Sequence, residues 1–116
     1  MLVTTTSLIE GYSIKSYKGI VKGVVVLTPT FGQNMKASFR NLLGGQIETF
    51  ANMCSIARNE AYQKMLEEAK NLNANAIIGM KYDSSELIFG SNSAIEILCY
   101  GTAVHVETSF APEEDI

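Results

Sequence analysis

Hydrophobic residues recur along the chain with two spacings, one of two residues and one of three to four, and the change between them outlines the elements. Leu2 to Thr6 is a short, Thr-rich run suited to a strand, and Tyr12 to Leu27 is a longer one in which Gly19 and Gly23 predict a bend or bulge. In its second half Ile20, Val24 and Val26 share one parity with Lys22, while Val21, Val25 and Leu27 share the other with Gly23. Neither face beyond Lys22 is polar, so that half of the strand is expected to be covered on both sides. After a loop at residues 28–32, Asn34 is a credible cap for a short helix bearing Met35, Phe39, Leu42 and Leu43, which Gly44 stops. A long helix from Gln46 to Leu72 follows, with one apolar stripe running from Ile47 and Phe50 through Cys54, Ala57, Ala61, Met65, Ala69 and Leu72. Three alanines in that stripe let a sheet approach closely. The other side carries Arg58, Glu60, Lys64, Glu67, Glu68 and Lys70, with Glu60 four residues before Lys64. Asn73 can end the helix in the left-handed conformation. Two strands close the pattern, Ala76 to Asp83 and Ala94 to Val106, separated by an expected loop from Ser84 to Ser93.

Four main strands with one long and one short helix make an α+β domain with a mixed or antiparallel sheet. Both parities of the last strand are largely apolar, yet two helices on one side cover only one sheet face. The second face must meet something else. At 116 residues the chain has one domain's worth of sequence. Its 18% charged residues fall below the roughly 25% usual in soluble domains. Either surface is hidden against other copies or partners, or uncharged Ser, Thr and Asn supply the polarity.

Charge and processing signals narrow the function classes. Nine basic and twelve acidic residues give a net charge of −3, and Glu113, Glu114 and Asp115 account for that excess, leaving a neutral body. A body without a Lys/Arg patch argues against nucleic acid as a partner. The apolar run Val24 to Leu27 is far short of the roughly 20 residues of a membrane-spanning helix, and the start lacks a basic and apolar leader, so a cytoplasmic location away from membranes is expected. Two cysteines do not make a disulfide framework, which fits a reducing compartment. Residues 1–107 are expected to form the domain and 108–116 an acidic, flexible tail.

The motifs fall in a recognisable order. Leu42-Leu43-Gly44-Gly45 precedes the long helix, Ala57-Arg58 lies within it, Asn73-Ala74-Asn75-Ala76-Ile77-Ile78-Gly79 follows it, and Tyr100-Gly101-Thr102-Ala103-Val104 closes the series. Together they resemble the YbjQ-like family of small uncharacterised proteins, labelled "putative heavy-metal-binding". The resemblance covers roughly residues 2–107 and implies a dodecin-like subunit that assembles into a homopentameric ring, with short extra strands joining neighbours. Gln46 stands where that family usually has arginine after its glycine pair, and Asn73 where it has glycine. The family has no established catalytic residues to carry over.

The family label invites a search for metal ligands, and Cys54, Cys99, His105 and Glu107 are the candidates. A soft-metal site needs two to four Cys or His side chains on one ion. Cys99 and His105 share a strand parity but stand about 20 Å apart at about 3.3 Å per residue. Cys54 can approach Cys99 across the helix and sheet, as a thiol pair or, in the simpler reading, as two small core residues. His105 or Glu107 near a strand end could instead converge from symmetry-related copies. No stoichiometric Zn or Cu is expected in the purified protein. Gly44-Gly45 could cradle an anion, although a turn between helices needs glycine in any case. No nucleophile and base stand at a telling spacing, so no enzyme is expected. Tyr12, Tyr17, Tyr62, Tyr82 and Tyr100 suit core edges and subunit contacts. The residues therefore point to a homo-oligomer, expected to be a pentamer, with a binding or structural role. The alternative is heavy-metal-ion or small-ligand binding at subunit junctions.

Overall fold

The computed structural model describes residues 1–28, 46–90 and 92–109. Strands β1 (Leu2–Val3), β2 (Tyr12–Leu27), β3 (Ala76–Phe89) and β4 (Asn92–Thr108) form one open sheet in the order β1-β3-β4-β2. β1 runs parallel to β3, and the other neighbours are antiparallel. Helix α1 (Gln46–Asn71) packs on one face, mainly across β2. This is the α+β architecture that the two spacings imply. The expected short helix over 34–44 and the acidic residues of the tail lie outside the described residues.

The stripe along α1 explains its position. Ala57, Ala61, Met65 and Ala69 are fully buried, against Val21 and Val25 of β2, Ile77 of β3, and Ile97, Cys99 and Ala103 of β4. Small residues on both sides set the separation. A Cβ added at Gly23 would run into the Ala61 carbonyl oxygen and lie 2.8 Å from Lys64 Cβ, so only glycine fits beneath the helix. Gly23 is therefore a close-approach residue in regular register opposite Cys99, not the bulge its position in the strand implied. Register shifts occur earlier, between Ile14 and Ser16 and between Tyr17 and Gly19, where Gly19 takes φ 128°. The helix ends on Asn73 at φ 63°, with Asn73 N–H donating to Lys70 C=O at 2.9 Å and Ala74 N–H to Ala69 C=O at 3.1 Å.

β2 is an edge strand, and α1 closes part of its edge. Lys22 N–H donates to Glu68 Oε1 at 2.7 Å, and Lys64 Nζ donates to Val24 C=O at 3.3 Å. Charged residues read from the sequence as a solvated helix face thus block a sheet edge.

Two features correct the sequence-based picture. The expected loop from Ser84 to Ser93 is instead ladder, with Ser84 opposite Ile97 and pairing continued to Phe89 opposite Asn92. Serines and asparagine resemble a loop by composition, but backbone N–H and C=O groups pair whatever the side chains are. Gly90, at φ 59°, supplies the positive φ that a two-residue connection requires. Secondly, the chain itself covers one end of the second sheet face. Beyond β1 it continues along β3, with Thr4 N–H donating to Ile77 C=O and Gly79 N–H to Thr6 C=O. It then crosses to the opposite sheet edge, placing Ile9 and Ile14 against Ala76, Ile78, Val104 and Val106. Beyond that cover, β2 leaves Tyr17 68%, Ile20 78% and Val26 42% exposed.

Candidate functional site

Tyr82 and Cys99 stand directly opposite one another on β3 and β4, on the face that meets α1. Tyr82 stands beside the Cys99 thiol, and the fully buried Cys99 Sγ lies 3.7 Å from Met65 Sδ on the helix, donating to it. Burial pushes the Cys99 thiol above the usual range, and the neighbouring Tyr82 hydroxyl opposes this only in part. Tyr82 is likewise raised, first by partial burial and then by Cys99 and Tyr62, with Arg58 working against them. Cys99 is therefore a protonated, enclosed thiol at neutral pH, without the thiolate character of a nucleophile or a ready soft-metal ligand.

Beside this pair a cavity of about 410 Å³ opens between α1 and the β3–β4 hairpin. Ile95 and Ile97 line it from β4, and Tyr82 and Ser84 from β3. Cys54 and Arg58, one helical turn apart, line it from α1. Cys54 is half-buried and, like Cys99, free of any disulfide. The structure thus brings both cysteines to the same helix and sheet interface.

His105 and Glu107 lie at the far end of β4, away from the cysteines. Their side chains meet at 3.5 Å between Nε2 and Oε2, with 40% and 59% exposed. Among the described residues, no three His, Cys, Asp or Glu side chains gather closely enough to hold a metal ion. The candidate ligands thus stand in different settings: Cys54 half-buried at the cavity, Cys99 enclosed against Met65, and His105 with Glu107 exposed at the far end of β4.

Comparison with known proteins gives this geometry its context. The sequence profile of the YbjQ family, described as "putative heavy-metal-binding", matches residues 1–107. The chain belongs to that family. A UPF0145 protein of Legionella pneumophila (strain Corby) is 46% identical over 104 residues, covering 90% of this chain and 96% of its own. A UPF0145 protein of Francisella tularensis subsp. tularensis (strain WY96-3418) is 43% identical over 106 residues, covering 91% and 99%. A crystal structure of a DUF74-family protein of unknown function from Pediococcus pentosaceus aligns with a TM-score of 0.62 at 24% identity, over 92% of this chain and 98% of that one. That likeness speaks for the fold.

Two contributors to the cavity escaped the sequence reading. By sequence pattern Arg58 belongs to the charged face of the helix and Tyr82 to a core edge or subunit contact. The spacing of Arg58 four residues after Cys54 was a usable signal, whereas the pairing of Tyr82 with Cys99 depends on a register that no local pattern encodes.

Proposed function

We propose that this chain is a subunit of a cytoplasmic homo-oligomer, pentameric as the family resemblance implies, with a structural or binding role and no catalytic one. The observation that carries this is the second sheet face, where Tyr17, Ile20 and Val26 leave apolar surface beyond the reach of the N-terminal cover. Exposed apolar and aromatic side chains on a sheet face are what subunit contacts commonly use. The outer edge of β3 beyond Met80, past its bonds to residues 2–6, adds a row of backbone groups that a neighbour's strand can take up. Other copies are the partners, rather than nucleic acid or membrane. Among the described residues no helix is long and apolar enough to cross a membrane. Light scattering at micromolar concentration should give about five times the 12.7 kDa of one chain. A mass of one chain would refute the reading.

A second reading rests on the His105 and Glu107 pair, whose exposed side chains could converge from several copies around an axis. A ring site for a metal ion should raise the melting temperature when that ion is added, and His105→Ala should remove the rise.

A further inference from the structure

We propose that the cavity between α1 and the β3–β4 hairpin binds a small organic monocarboxylate, with its carboxylate on Arg58 and its apolar body on Ile95 and Ile97. This goes beyond the oligomeric reading and does not depend on it, because the cavity opens on the helix side of the sheet and the proposed interface lies on the other side. The volume, about 410 Å³, falls within the roughly 300–1,000 Å³ of small-molecule sites. The lining has the division such sites use, an apolar floor with a few polar groups at the rim.

Arg58 decides the ligand's charge. Its guanidinium offers five N–H donors, and among the described residues its one recorded partner is Ser55 Oγ, 3.4 Å from Nη2. No described carboxylate lies within ion-pair distance of it. The planar fork matches a carboxylate through two parallel hydrogen bonds. Asp83 and Ser84 also border the cavity, the Asp83 Oδ1 accepting the Ser84 N–H at 2.9 Å. With the Arg58 guanidinium as the one cation among the described lining residues, the cavity favours a singly charged ligand over a phosphate dianion or polyphosphate. The apolar floor is needed as well, since an exposed ion pair alone binds weakly. Cys54 and the Tyr82 ring close the sides.

The test is a titration of the full chain, followed by NMR, with hexanoate, phenylacetate and 3-phenylpropionate. Each is paired with its uncharged primary amide, and phenylphosphonate serves as the dianion. At least one acid should saturate in the millimolar range or below, with shifts at Ile95, Ile97 and the Arg58 side chain. Its amide, and phenylphosphonate, should bind about tenfold more weakly. Arg58→Gln should weaken the acid by about tenfold with the melting temperature unchanged, and Arg58→Lys should recover only part of the loss. Equal binding of acid and amide, tighter binding of phenylphosphonate, or no saturation by any acid up to about 20 mM would overturn the proposal.

Discussion

Cys99 is chemically quiet because of what surrounds it. Its thiol is enclosed by Met65 and Tyr82, and burial favours the uncharged form of both the thiol and the phenol. Each therefore holds its proton more tightly in the folded protein than in the unfolded chain. Below about pH 8.5 both states are protonated and these groups add no slope. Above it the folded protein carries the extra protons, so stability falls as pH rises through the raised folded values. Denaturant midpoints should thus drop between pH 7 and pH 10, and the drop should shrink in Cys99→Ala. A disulfide reagent should label the half-buried Cys54 well before Cys99. Gly23 is the other decisive residue. Gly23→Ala places a methyl group against helix backbone that cannot swing aside, and should cost about 1–3 kcal/mol in chemical denaturation.

At the scale of elements, periodicity located the strands and the helix well, because alternating and helical spacings follow directly from backbone geometry. It located the β3–β4 connection poorly. Ser84, Ser85 and Ser93 are polar strand residues whose pairing is settled by the register running back to Ile77 opposite Ala103. The N-terminal cover was illegible for a similar reason, since Leu8 and Ile9 make no periodic pattern and Ile9 gains its partners only when the chain crosses the sheet. Asn75 illustrates the same limit. Its sequence context reads as a turn, yet its side chain acts as a missing strand residue: Nδ2 donates to Val106 C=O at 2.9 Å and Oδ1 accepts Val106 N–H at 2.8 Å. Asn75→Ala leaves two buried backbone groups of β4 unpaired and should cost about 1–3 kcal/mol, with faster amide exchange at Val106. The cavity was legible in part. Cys54 and Arg58 share a helix side by spacing, but the wall they face comes from the hairpin that composition disguised as a loop.

The described part of the molecule is drawn out. Its Cα radius of gyration is 18.5 Å and its extents are 65 × 31 × 21 Å, against about 13 Å for the radius of a compact domain of 100 residues. The long β3–β4 hairpin accounts for the extension, and an elongated subunit keeps more of its sheet uncovered than a compact one. This gives the low charge content a location. The strands are poor in charge, α1 screens one face, residues 4–14 screen part of the other, and Ile20 is the most exposed large hydrophobic side chain of β2 on what is left. The central claim is that this remaining face is where copies meet. Sedimentation velocity of the native chain beside Ile20→Glu tests it most directly. The native protein should sediment as a multi-chain species, and the variant as a folded chain of 12.7 kDa with an unchanged far-ultraviolet spectrum. A native chain already at 12.7 kDa, or a variant that keeps the native multi-chain mass, would contradict the account.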